Sequence, residues 1–129
     1  MSIDAYFRHI TELIANCAIV QSSNIAFDKR AQHEGYFRGE LHFIDGSALH
    51  VREFVDVEDG VDRLTYVYQY MNANETLVFR YDNTGHHKKL NLPTYPHHKH
   101  SGSENSVIIS SAPELAEILD EIASLIVLS

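Results

Sequence analysis

Apolar residues at Ile3, Tyr6, Phe7, Ile10, Leu13, Ile14 and Cys17 recur every three or four positions, so the first stretch of the chain reads as an amphipathic helix. Ser2 is a suitable N-cap, which predicts a helix over 2–17. Near the other end Leu115, Ile118, Leu119, Ile122, Leu125 and Ile126 form a second stripe. Ser111 and Glu114 have the capping-box spacing and Pro113 suits a first turn, which predicts a helix over 112–127.

Between the helices the period changes to two. IAF near Ile25, YFRGELHFI from Tyr36, LHVREFVDV from Leu49, LTYVYQYM from Leu64 and TLVFRYD from Thr76 each alternate as strands do. Turn residues separate them: Asp45-Gly46, Glu58-Asp59-Gly60 and Asn72-Ala73-Asn74. Connections this short imply antiparallel neighbours. The expected architecture is α+β: an antiparallel, curved β-meander of about five strands, with an N-terminal and a C-terminal helix packed on one face. The 129 residues are enough for one domain, 1–129, and no repeat or linker divides them.

One register follows from the alternation. Phe37, Leu41 and Phe43 share a face of one strand, and Leu49, Val51, Val55 and Val57 share a face of the next. A two-residue turn at Asp45-Gly46 would set Leu41 against His50 and mix the faces, whereas an odd-length loop with Gly46 in the left-handed region keeps them matched. Arg38, Glu40 and His42 then point outward beside His50 and Arg52, either as a solvated sheet face or as the floor of a cleft. Tyr66, Tyr68 and Tyr70 share one face of the fourth strand, as half-buried lining or as a stacking surface for bases.

Composition adds constraints. The formal charge of −8 argues against a protein that coats nucleic acid with its whole surface. The single Cys17 excludes an internal disulfide or a cysteine zinc cluster, and at its helical spacing it reads as a buried small hydrophobe in a reducing cytoplasm. Asp4, Arg8 and Glu12 interrupt the opening stretch, so neither a signal peptide nor a membrane span is expected.

The segment RYDNTGHHKKLNLPTYPHHKH, Arg80 to His100, breaks both periods and holds five of the nine histidines. It also carries Arg80, Lys88, Lys89 and Lys99 against Asp82 alone, a basic strip on an acidic body. Arg80 and Asp82 end the fifth strand on one side, with Tyr81 on the other. From Asn83 onward the chain reads as an ordered loop stiffened by Pro93 and Pro96. Three chemistries fit it. The histidines could ligate a transition metal, with His98 and His100 on one side of an extended chain, although their spacing matches no metal signature. Two of them could serve as base and acid in metal-free cleavage of an RNA phosphodiester, imidazole titrating near working pH and Arg80, Lys88, Lys89 or Lys99 neutralising phosphoryl charge. Or the segment could bind a phosphate, nucleotide, nucleic acid or protein without chemistry, or its histidines could hydrogen-bond the loop to the sheet as a structural clip.

RYDN-x-x-HH followed by LPTYPHHKH resembles the signature of the TumE-like proteins, toxins of type II toxin–antitoxin modules. The similarity extends over the whole chain. Gly85 stands where that pattern usually has proline, and Tyr95 where it has phenylalanine. The resemblance implies a cytoplasmic toxin with a cognate helix-turn-helix antitoxin, and the action on RNA supposed for such toxins agrees with the acid–base reading; no cofactor and no membrane partner are expected. It carries the catalytic expectation to Asp82, His86, His87, His97, His98, Lys99 and His100. Substrate binding is expected at Arg80, Tyr81, Lys88 and Lys89, and the apolar helices leave a homodimer open.

Overall fold

The computed structural model describes residues 1–83, 98–101, 107–109 and 112–127. Its elements in chain order are α1 (Ile3–Ala15), β1 (Val20–Lys29), β2 (Glu34–Phe43), β3 (Ala48–Asp56), β4 (Asp62–Met71), β5 (Leu77–Asp82), β6 (His98–Ser101), β7 (Val107–Ile109) and α2 (Leu115–Val127). The strands form a single antiparallel sheet in the order of the chain, β1 to β7. The five expected strands are all present. β6 and β7 are additional, and they correct the reading of His98 to His100 as loop: β6 satisfies its backbone groups on β5, with Tyr81 opposite Lys99 and Asp82 opposite His98.

The predicted register between β2 and β3 holds. Leu41 lies opposite Leu49, Glu40 opposite His50 and Arg38 opposite Arg52. The hairpin closes through a three-residue loop in which Phe43 N donates to Ser47 O at 2.9 Å and Gly46 takes φ 87. Asp45 fixes the loop by accepting from the Ser47 amide and hydroxyl.

Alternation gives the sheet two unlike faces. Phe37, Leu41, Phe43, Leu49, Val51, Val55, Tyr66, Tyr68, Tyr70, Phe79 and Tyr81 are buried in one core with Ile3, Tyr6, Ile10 and Ile14 of α1 and Leu115, Ile118, Leu119 and Ile122 of α2. The three tyrosines of β4 therefore belong to the core rather than to a stacking surface. Cys17 packs, partly buried, at its edge. The opposite face carries Arg38, Glu40, His42, His50, Arg52 and Gln69.

The helix ends follow local chemistry. Ser2 Oγ accepts from Ala5 N at 3.1 Å and caps α1 as expected. α2 starts at Leu115, later than its sequence suggests. Glu114 is its N-cap: its carbonyl accepts from Ile118 N at 3.0 Å and its amide donates to Glu117 Oε1 at 3.1 Å. The start is displaced because the carbonyls of Ala112 and Pro113 each accept from the Arg63 guanidinium at 2.7 Å, with Ala112 at φ 52. Ser111 lies outside the described residues.

Docking of α1 depends on a missing side chain. A Cβ at Gly35 would sit 2.5 Å from Ile3 Cγ1 and 2.6 Å from Phe7 Cζ. Gly35→Ala is expected to lower stability by about 1–3 kcal/mol, as overpacking of a filled core does; urea unfolding of the two proteins measures the difference.

Candidate functional site

The polar face gathers its chemistry where β5 meets β6. Alternation sends Phe79 and Tyr81 into the core and leaves Arg80 and Asp82 on the other side, and the pairing sets His100 opposite Arg80. The Asp82 carboxylate is 1% exposed and the His100 residue 3%. Arg80 Nε donates to Asp82 Oδ2 at 3.0 Å, and His100 Nε2 lies 3.6 Å from the same oxygen. Arg80 Nη1 donates onward to Gln69 Oε1 at 3.4 Å. A carboxylate thus stands between a guanidinium and an imidazole. The imidazole lies just beyond hydrogen-bond reach, a separation that catalytic pairs often show without substrate. Asn83 holds the end of β5 in place: its Oδ1 accepts from Tyr66 N at 2.9 Å and its Nδ2 donates to Leu64 O at 3.1 Å.

The remaining sequence-predicted residues divide three ways. His98 takes the register position opposite Asp82. Tyr81 and Lys99 lie on the helix face instead. Tyr81 OH donates to Glu121 Oε1 of α2 at 2.7 Å, while Lys99 Nζ lies 3.6 Å from Glu121 Oε2 and 4.7 Å from the Tyr81 ring centroid. These contacts fasten α2 to β5 and β6, and the sheet separates both residues from Asp82 and His100. His86, His87, Lys88, Lys89 and His97 lie outside the described residues. Among the described residues no group of three or more histidine, cysteine, aspartate or glutamate side chains could hold a metal ion.

The same face extends across the sheet as an open cleft. A hollow of about 490 Å³ is floored by Arg38, Glu40, His50 and Arg52 of β2 and β3, with Asn24 and Ala26 of β1 at one side and Val67 of β4 at the other. Glu40 lies between two imidazoles, with Oε2 3.2 Å from His42 Nε2 and Oε1 3.2 Å from His50 Nδ1. These outward residues line a hollow, and the Glu40, His42 and His50 side chains stay about half exposed with ion pairs between them, so the cleft-floor and solvated-face readings both fit the geometry.

On the helix face there is a second polar cluster, which the sequence reading missed. Glu53 occupies an inward position of β3 and is 1% exposed. Its Oε1 accepts from Tyr6 OH of α1 and its Oε2 from Tyr68 OH of β4, each at 2.5 Å. Arg63 Nη1 donates to the Tyr68 oxygen at 3.1 Å, and its guanidinium lies 4.3 Å from the Tyr66 ring centroid. Arg63 reaches this face because β4 is irregular between its pairings with Phe54 and Val55: Thr65 lies opposite Phe54 but Arg63 opposite Val55, so Leu64 is an extra residue that inverts the alternation. The available signal was a carboxylate inside the run Leu49, Val51, Glu53, Val55, Val57. Burial drives the Glu53 pKa upward, against the lowering effect of its two tyrosine donors and Arg63, and burial beside Glu53 likewise raises the Tyr6 and Tyr68 phenols.

The fold and site define a class: an open antiparallel sheet with helices on one face and a buried aspartate–histidine pair on the other. Within that class, the family model described as Toxin TumE matches residues 10–126, and the chain belongs to the TumE toxin family. Comparison with curated proteins and with solved structures gave no significant match. Among the described residues no helix is long and apolar enough to cross a membrane.

The raised pKa of Glu53 has a definite sign. The folded chain binds that proton more tightly than the unfolded chain does, so the stabilisation is fully present below the ordinary value of 4.5 and declines as pH rises through the raised value. In urea unfolding between about pH 4 and about pH 7, any advantage of the wild type over Glu53→Gln should narrow as pH rises.

Proposed function

We propose that this TumE-family chain is the toxin of a type II toxin–antitoxin pair and a metal-free ribonuclease. Its reactive centre is Asp82 with His100, and Arg80 holds the carboxylate in place. The observation that carries the reading is the burial of an aspartate and a histidine against one another beside a guanidinium, on the face that bears the cleft. Imidazole suits the reaction because its protonation changes near neutral pH, and a carboxylate beside it fixes ring orientation and stabilises the imidazolium that forms.

In the proposed step His100 takes the proton from an RNA 2′-hydroxyl, O2′ bonds to the adjacent phosphorus, and the bond from phosphorus to O5′ breaks. A second histidine of the segment, His97 or His98, gives a proton to the leaving O5′. The products are a 2′,3′-cyclic phosphate and a 5′-hydroxyl, so atoms and charge balance without a co-reactant. From the sequence signature, Lys88 and Lys89 are assigned to substrate contacts and His86 and His87 to the catalytic set. Lys99 and Tyr81 are assigned to holding α2 rather than to the reaction. The partner is a helix-turn-helix antitoxin, and the site of action is the cytoplasm.

Purified protein incubated with total cellular RNA is expected to cleave it equally with and without EDTA. His100→Ala and Asp82→Asn should slow cleavage by about 10²–10⁴-fold, the usual range for a general acid–base group. They should also relieve toxicity on expression in cells. Intact RNA in every lane, or equal cleavage by wild type and both variants, would overturn the catalytic reading and leave a binding module.

A further inference from the structure

The outer face of β2 and β3 carries two adjacent cross-strand pairs that the Asp82–His100 centre does not use. Tyr36 lies opposite Phe54, and two positions further along β2, on the same face, Arg38 lies opposite Arg52. Like charges placed directly opposite one another on neighbouring strands weaken a sheet. Among the described residues neither guanidinium meets a carboxylate: of the acids beside them on this face, Glu40 is engaged with His42 and His50, and Asp28, opposite Tyr36 on β1, with Arg30. On a chain of net charge −8 an unrelieved arginine pair is a local exception that calls for an anion. The aromatic pair beside it also lies outside the core: Tyr36 and Phe54 are half-buried and line, with Arg52, Thr65, Tyr66 and Val67, a second hollow of about 400 Å³. Arg52 and Val67 border both hollows, so the two adjoin.

Two aromatic faces next to two cations, open to solvent across neighbouring strands, is the arrangement by which sheets hold single-stranded nucleic acid: bases stack on rings while phosphates lie on arginines. We propose that this surface is a single-stranded nucleic-acid platform, on which Tyr36 and Phe54 stack successive bases and Arg38 and Arg52 hold the phosphates that join them. The row Arg38, Arg52, Val67, Asp82 runs straight across the sheet, so a strand lying along it reaches the Asp82–His100 centre. Arg52 and Asp82 are two strand spacings apart, about 9–10 Å. The inference rests on the RNA reading for the identity of the polymer. It names residues for binding rather than reaction, and it places substrate selection in unpaired, unstacked stretches.

The test is fluorescence anisotropy with a short labelled single-stranded DNA, which lacks the 2′-hydroxyl needed for cleavage. Arg38→Ala and Arg52→Ala are each expected to weaken binding, with the log–log salt dependence flattening by about 0.7 per arginine removed. Tyr36→Ala and Phe54→Ala should weaken binding by about 10-fold with the salt dependence unchanged, and Arg8→Ala, on the far side of α1, should bind as wild type does. The arginine variants should melt no lower than wild type, because each removes a like-charge contact. Wild-type binding that all four variants retain would overturn the platform and leave the RNA reading intact, and so would arginine variants that bind less only because they melt lower. No binding by the wild-type protein to DNA or to an RNA of the same sequence would overturn both.

Discussion

A single register carried across seven consecutive antiparallel strands divides this molecule into its two halves. Side chains on a strand alternate with a period of two, and each strand pairs with its neighbour in sequence. One choice of register therefore propagates from Asn24 on β1 to His100 on β6. The row Glu40, His50, Gln69, Arg80, His100 lies on one face, and the row Leu41, Leu49, Tyr70, Phe79 on the other. A slip of one residue anywhere would bury arginines under the helices and expose phenylalanines. The apolar area covered by α1 and α2 resists that slip, and the polar face is consequently held in place by the core beneath it.

Where the register departs from regularity, the departures have local uses. The extra residue Leu64 turns Arg63 toward the helices, where its guanidinium meets Tyr68 and the carbonyls of Ala112 and Pro113. Together with Glu53, Tyr6 and Tyr68 this forms one hydrogen-bonded cluster linking α1, β3, β4 and the entry to α2. Buried polar groups of this kind are tolerated only when each finds partners, and loss of one member leaves the others unsatisfied. The cluster lies on the helix face, whereas the buried Asp82–His100 pair lies on the face that presents a cleft.

Much of this was legible in the sequence. Apolar spacing found both helices and five strands, and the face-matching argument for Leu41 and Leu49 found the odd-length turn at Gly46. The outward set Arg38, Glu40, His42, His50 and Arg52 followed from the same alternation. β6 and β7 did not, because HKHS and VII are too short to show a period and the prolines upstream suggested loop. The inward Glu53 was passed over since a strand pattern is read from its apolar members, and Arg63 was hidden because a bulge inverts the alternation that would place it. The signature segment brought Asp82 and His100 forward as candidates, and the structure places them together. It could not show that Lys99 points to α2 while His100 points to Asp82, a distinction that only strand pairing makes.

On the proposed reading, the buried Asp82–His100 pair is the reacting part and the arginine and aromatic pairs on the same sheet face hold the strand. The most direct measurement is the chemical nature of the ends produced when a defined RNA is cut in EDTA, determined by mass spectrometry. Ends bearing 2′,3′-cyclic phosphate and 5′-hydroxyl, absent with His100→Ala, are the predicted result. Ends bearing 5′-phosphate and 3′-hydroxyl, or cyclic phosphates formed equally by His100→Ala, would contradict it.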